Sequence, residues 1–308
     1  MTDSIKPGVW PVMLTPFAED GSVDMDALDA LTEWYIKCGV SGLFSVCLSS
    51  EMYDLTDDER LGIAKRVSER TDRRVPVFAS GTFGGTPEKQ SDFIRRIADT
   101  GVDGVVVIAS QMTGKDEDES VWQSNVERVL DHTNDVRLGL YECPRPYHRI
   151  LSADALSWCA QSGRFDFIKD TSCHQDSIRS KIEVTRNTSL RFYDACAATL
   201  LVTLNAGGDG FCGIAANFYA DLYVWLCLNF DTDSEMAGEL HRFLSVAERA
   251  IGVGYPSAAK LFLNRAGLPV RPACRASSVE FTERDLRILA DLEGLVHDWR
   301  LRIKSPLK

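Results

Sequence analysis

Histidine is scarce, five in 308 residues with no His-Glu-x-x-His pair, so neither a structural nor a catalytic metal site is expected. No two cysteines are spaced Cys-x-x-Cys. The nine are scattered and odd in number, which fits free thiols in a reducing compartment better than a disulfide framework. A basic stripe is also missing. With 34 Lys and Arg against 45 Asp and Glu, the formal charge is −11, which leaves nothing to neutralise nucleic-acid phosphates. No apolar run reaches membrane-spanning length, since the most apolar late stretch, Ala215 to Phe230, is broken by Asn217 and Asp221. The opening residues lack a basic segment followed by an apolar core, so no secretory signal is read and a cytoplasmic location is expected. The Gly81-Thr-Phe-Gly-Gly85 loop lacks the Lys-Ser/Thr ending that cradles nucleotide phosphates.

What is present is an alternation. Hydrophobic residues make up 44% and charged ones 26%, ordinary for a soluble globular chain. Eight short apolar runs end near Leu14, Cys47, Ser80, Ala109, Cys143, Asp170, Cys196 and Ile214, and each is followed by a helical pattern. Asp24, the capping box Thr56-Asp-Asp-Glu59, and Thr86 before Pro87 mark helix starts. Eight strand-helix units predict an α/β chain closed as a (β/α)8 TIM barrel over 1–230. An open doubly wound sheet is the rival, but the first strand-helix turn has no Gly-x-Gly-x-x-Gly. Three helical patterns without intervening strands, Ser234 to Ile251, Pro256 to Ala266 and Thr282 to Ile303, predict a C-terminal three-helix appendage over 231–308.

The run Phe165-Asp-Phe-Ile-Lys-Asp-Thr-Ser172 puts Lys169 at the end of a strand that alternates like a buried one. A lysine kept inside suffers desolvation, which favours the neutral, nucleophilic amine that a Schiff-base enzyme needs. The alternative is a strand-end lysine paired with Asp170 or Asp166. On the preceding strand Tyr141 ends a similar run, and a phenol there can pass protons during imine formation and collapse. Equally, it can be a buried aromatic whose hydroxyl bonds to backbone.

Taken in order, Gly8 to Thr15-Pro-Phe17, Cys47-Leu-Ser-Ser-Glu51, Tyr141-Glu-Cys-Pro144, Ile168-Lys-Asp-Thr-Ser172 and Gly207-Gly-Asp-Gly210 with Ala216-Asn217 resemble the dihydrodipicolinate synthase / N-acetylneuraminate lyase family of class I, pyruvate-handling aldolases. The resemblance spans nearly the whole chain. It implies an imine between Lys169 and pyruvate or another 2-oxo acid, with Tyr141 as proton shuttle. Ser49 and Ser50 would hold the 2-oxo acid's carboxylate, although the same pair also suits turn chemistry. Cys212 would line the substrate, and Asp194 would recognise a substrate hydroxyl, pair with Lys169 or cap a turn. No metal or organic cofactor is implied, because the lysine is the electron sink, and a homo-oligomer (dimer or tetramer) is expected.

Three departures from the family pattern bear on substrate. Dihydrodipicolinate synthases carry an arginine two residues after the proline of Tyr-Asn-x-Pro. Pro146 stands there in this chain, with Arg145 one residue early and Arg149 three late. Leu48 replaces the first hydroxyl of the usual pair, and the fourth strand's loop reads Ala109-Ser-Gln-Met112, without a relay tyrosine. These count against lysine biosynthesis and sialic acid cleavage, and leave aldol cleavage or addition with an aldehyde, or sugar-acid dehydration. The runners-up are a 4-hydroxy-tetrahydrodipicolinate synthase proper, with Arg145 or Arg149 reaching the second carboxylate, and a non-enzymatic sensor barrel that binds a 2-oxo acid. Cys47, Cys143, Cys173, Cys196 and Cys212 all fall at or just past strand ends. They are either small core residues or a set of oxidation-sensitive thiols at one mouth.

Overall fold

The computed structural model describes residues 6–277 and 279–307. Its sheet has eight strands: β1 (Gly8–Val9), β2 (Leu43–Ser45), β3 (Val77–Ser80), β4 (Gly104–Ile108), β5 (Leu138–Tyr141), β6 (Phe165–Asp170), β7 (Arg191–Asp194) and β8 (Gly210–Phe211). All pairings are parallel, in the order β1-β8-β7-β6-β5-β4-β3-β2. A parallel bridge between Val12 and Phe44 joins the first run to β2 and closes the ring. This is the (β/α)8 barrel that the spacing predicts. The first run is shorter as a strand than its apolar pattern, because it changes partner partway. The Trp10 amide donates to Phe211 of β8, whereas Met13 donates to Phe44 and Phe44 back to Pro11.

Around the barrel lie α1 (Met25–Lys37), α2 (Asp57–Thr71), α3 (Pro87–Ala98), α4 (Glu119–His132), α5 (Ala153–Gln161), α6 (Gln175–Thr185), α7 (Leu200–Asn205) and α8 (Ala216–Asn229). Their starts follow the caps in the sequence. The Asp24, Thr56, Thr86 and Ser152 side chains accept from the amides of Ala27, Glu59, Lys89 and Ala155, each worth about 1 kcal/mol of helix stability. Three more helices follow, α9 (Ser234–Ile251), α10 (Ser257–Arg265) and α11 (Glu283–Ile303). Arg300 of α11 forks onto Asp221 of α8 at 2.9 and 3.0 Å. Lys260 of α10 is fully buried and pairs with Glu51, past the end of β2, at 2.7 Å. Among the described residues no helix is long and apolar enough to cross a membrane.

Side chains on a strand alternate between the barrel interior and the layer beneath the helices. Inside, Trp10 packs on Phe78, Phe167 and Tyr193, with ring centroids 5.5, 5.1 and 5.7 Å away. Such large rings need small neighbours. A Cβ on Gly42 would lie 2.3 Å from Trp10, and one on Gly104 2.3 Å from Phe78. This aromatic floor fixes what stands above it. Lys169, two residues beyond Phe167, and Tyr141, two beyond Gly139, share the inner face, whereas Glu142, Asp170 and Asp194 take the outer one.

Candidate active site

A cavity of about 500 Å³ opens at the C-terminal ends of the strands, and Lys169, Tyr141 and Ser49 all line it. The β5–β6 register sets Tyr141 directly beside Lys169, and the amine lies 4.6 Å from the phenol ring centroid. Lys169 is only 3% exposed. Both partners that would have made it a structural lysine are engaged elsewhere. Asp170 binds Lys181 at 2.6 Å and Asp166 binds Arg137 at 2.6 Å. Among the described residues Lys169 makes no ion pair. Burial holds the Tyr141 phenol well above its ordinary pKa, with Cys143 and Cys47 adding to the effect, so it stays protonated and able to donate.

Beneath this pair is a buried ionic cluster that the sequence did not single out. Lys181 of α6 reaches Glu142 at 2.5 Å and Asp170 at 2.6 Å, and all three side chains are at most 1% exposed. Each carboxylate is the next residue after a cavity residue, so the clamp ties the ends of β5 and β6 from outside the barrel. Glu142 also accepts from the amides of Leu151 at 2.9 Å and Thr171 at 3.0 Å. Burial, then repulsion from Asp170, pushes the Glu142 carboxyl up to about 8 against the pull of Lys181. Burial works to lower Lys181, but the two carboxylates outweigh it and leave the amine above its ordinary value. The signal was its place on α6, between Ile178 and Ile182 on the buried stripe.

Ser49 sits on the wall beside Tyr255, which precedes α10 and lines the same cavity. The Tyr255 hydroxyl receives Asn217 Nδ2 at 2.6 Å, and Asn217 Oδ1 accepts from Tyr35 at 2.5 Å. Tyr255 is thus a cavity hydroxyl that inspection of strand ends alone missed. Ser50 departs from the expectation. Its hydroxyl donates to the Met13 carbonyl at 2.7 Å and accepts from the Cys47 amide at 3.0 Å, pinning the β2 loop to the first run instead of lining the cavity. Cys212 also lies off the wall, fully buried, with its thiol pushed up to about 12 by burial while Lys169 acts the other way.

Asp194 faces outward, as its strand parity dictates. It accepts from Thr203 at 2.6 Å, Thr199 at 2.7 Å and the Cys196 amide at 2.8 Å, so it holds a turn, and among the described residues it makes no ion pair with Lys169. Burial, against those three donors, raises its carboxyl to about 7 from an ordinary 3.8. A raised acid keeps its proton in the fold after losing it in the unfolded chain. Its contribution is therefore fully present below 3.8 and is lost as pH rises to about 7. Asp194→Asn, which cannot titrate, is expected to flatten the pH dependence of urea-unfolding stability in that window; an unchanged slope contradicts the assignment.

Two arginines were candidates for a second carboxylate. Arg149 spends its guanidinium on the carbonyls of Gly114 and Glu117. Arg145 lines the cavity. Its carbonyl is anchored by Tyr53 at 3.0 Å and Ser110 at 3.1 Å, and among the described residues no carboxylate pairs with its side chain. Non-glycine residues with positive φ also cluster at this mouth: Val46 at 48°, Glu51 at 57° and Cys173 at 52°. Each such residue costs on the order of 1–3 kcal/mol and persists where the surroundings over-determine it, typically at functional sites. Glu51 shows how: besides Lys260, it accepts from the amides of Arg275 at 2.6 Å and Ala276 at 2.8 Å. Among the described residues no group of three or more His, Cys, Asp or Glu is placed to hold a metal ion.

Comparison with known proteins gives a consistent picture. The model of the Dihydrodipicolinate synthetase family matches residues 6–292. A 4-hydroxy-tetrahydrodipicolinate synthase of Oceanobacillus iheyensis is 25% identical over 291 residues, 92% of this chain and 97% of that one. YagE of Escherichia coli K12, named as a candidate 2-dehydro-3-deoxy-D-gluconate aldolase, is 30% identical over 244 residues, 77% of this chain and 78% of its own. The crystal structure of YagE in complex with pyruvate superposes with a TM-score of 0.83 at 26% identity, covering 96% of this chain and 99% of that one. A dihydrodipicolinate synthase from Thermotoga maritima gives 0.85 at 20% identity, over 95% and 99% of the two chains, which shows the fold. The chain therefore belongs to the dihydrodipicolinate synthetase family of lyases.

Proposed function

We propose that the protein is a class I lyase or aldolase that forms an imine between Lys169 and pyruvate or a related 2-oxo acid. The observation that carries this reading is a buried lysine with no ionic partner among the described residues, on the wall of a cavity and 4.6 Å from a tyrosine ring. Lys169 attacks the ketone carbon, and Tyr141 moves protons to and from the carbinolamine oxygen. Ser49, backed by Tyr255, offers hydroxyl donors to the 2-oxo acid's carboxylate. In this reading residues 231–308 act as a helical appendage that supplies one wall of the cavity through Tyr255 and Glu248. A homo-oligomer, no cofactor and a cytoplasmic location complete it.

The second substrate is an aldehyde or sugar-acid fragment that carries an anion, because Arg145 offers a cation with its guanidinium uncommitted. YagE is the relative whose name points to a sugar acid. A second reading, 4-hydroxy-tetrahydrodipicolinate synthase, rests on the same arginine and on the Oceanobacillus relative. The test is turnover of 2-oxo-3-deoxy sugar acids, and of pyruvate with anionic and neutral aldehydes. Arg145→Ala is expected to raise KM for the anionic substrate roughly 10- to 100-fold, the worth of a charged hydrogen bond, with little change for a neutral aldehyde. An equal effect on both removes Arg145 from substrate binding. If no hydroxy-oxo acid or aldehyde turns over, the sensor reading replaces the enzyme.

A further inference from the structure

Two thiols on the cavity wall are not used by the chemistry above. Cys173 follows β6 and Cys196 follows β7, strands that are paired through Asp170 and Asp194. Both line the cavity that contains Lys169. Both are free, Cys173 exposed and Cys196 half-buried, whereas Cys47, Cys143 and Cys212 are buried. Cys196 caps the short 3-10 turn Ala197–Thr199 that leads into α7. Past the paired ends of β6 and β7 the two thiols are close enough to perturb each other, and the backbone amides of Ala198 and Thr199 favour negative charge on the Cys196 sulfur. The Cys173 thiol donates to the Thr171 carbonyl at 3.6 Å.

These contacts give the pair unequal roles. Led by the neighbouring Cys173 thiol and opposed by burial, these surroundings lower the Cys196 thiol to about 5. Cys173 is raised, with the neighbouring Cys196 as the largest cause. Below about pH 7 the acidic groups around the pair do not compete for the negative charge. Burial pushes Glu248 of α9 up to about 8, with Cys196 adding to the effect. Asp194 is raised to about 7, and His241 of α9 is lowered by burial and so stays neutral. A stabilised, accessible thiolate beside a second thiol is the arrangement of a reactive cysteine with its resolving partner.

We propose that Cys196 is a hydroperoxide-reactive thiol that Cys173 resolves into a disulfide spanning the loops after β6 and β7, closing the cavity over Lys169. The Cys196 thiolate attacks the O–O bond of a hydroperoxide. One oxygen goes to sulfur as the sulfenic acid, and the other leaves as hydroxide or alkoxide and takes a proton from water. The Cys173 sulfur then displaces the sulfenic hydroxyl, so that the S–S bond forms, the S–O bond breaks, and water departs with the thiol proton. A dithiol reductant reverses the step. Closure of the site rests on the lyase reading, whereas the cross-link itself does not.

The test is peptide mapping under non-reducing conditions after a modest excess of hydrogen peroxide. A linked Cys173–Cys196 peptide pair is expected as the dominant product. In Cys173→Ser, dimedone is expected to label Cys196, and in Cys196→Ser neither position 173 nor 196 is labelled. A different dominant pairing, or both thiols still reduced while others oxidise, overturns the proposal. Turnover of the oxidised wild type is expected to fall at least tenfold and return with dithiothreitol. Each serine variant should hold its own starting rate through the same treatment. A cross-link that leaves turnover unchanged refutes the closure. A cross-link in a protein whose reduced form turns over no substrate supports the thiol pair and defeats the lyase reading instead.

Discussion

Lys169→Ala lowers kcat on the order of 10⁶-fold, the scale reached when the nucleophile of a covalent mechanism is removed. Tyr141→Phe lowers it roughly 10²- to 10⁴-fold, the share of a positioned proton donor. The two losses do not multiply, because a shuttle has nothing to serve once the imine cannot form. The stability side of the same experiment is equally informative. Lys169 has no ionic partner among the described residues, so its removal strands no buried charge. Lys169→Ala should therefore unfold at or near the wild-type urea midpoint. Steady-state kinetics with unfolding curves on both variants test this. A Lys169→Ala protein that keeps a tenth of wild-type kcat, while still folded, contradicts the assigned role.

Lys181→Met has the opposite profile. The substitution is close in volume and reaches the same place, yet it leaves Glu142 and Asp170, both fully buried, facing each other without a cation. Breaking a buried pair on one side costs about 3–5 kcal/mol, because a buried charge is left uncompensated. For a chain of this size that corresponds to a Tm lower by roughly 5–8 °C. The deficit should shrink as pH falls, because the Glu142 carboxyl, raised by burial and Asp170 and freed of the pull of Lys181, takes up a proton and the repulsion with Asp170 ends. Activity should fall too, since the clamp fixes the residues that follow Tyr141 and Lys169. Thermal unfolding across pH decides the matter. A variant as stable as wild type at every pH refutes a supporting role for the cluster.

The barrel was legible because its signals are local and repeated. The capping residues Asp24, Thr56, Thr86 and Ser152 start helices where they stand in the sequence, and eight apolar runs bound the strands. Lys169 was legible for a related reason: Phe165, Phe167 and Lys169 share a face, so a lysine at the end of an inward series faces inward. The same parity, applied to β7, puts Asp194 with Phe192 on the outer face. Treating every strand end as part of the cavity overlooked it. Ser50 was misplaced because a loop hydroxyl can turn either to ligand or to backbone, and a carbonyl 37 residues earlier decided which. Lys181, Glu248 and Tyr255 lie 12 to 86 positions beyond Lys169 and meet the site only through tertiary packing. Their residue types alone mark nothing, and only the buried stripe of α6 hinted at Lys181.

The most direct test of the imine is borohydride reduction of the protein in the presence of pyruvate, followed by intact mass and peptide mapping. The account predicts one covalent adduct per chain, on the peptide that contains Lys169, absent from Lys169→Ala and unaffected by Lys181→Met in whatever fraction remains folded. If pyruvate and larger 2-oxo acids all leave folded protein unmodified, or if the adduct maps to a different lysine, Lys169 is not the Schiff-base residue and the proposed chemistry is wrong.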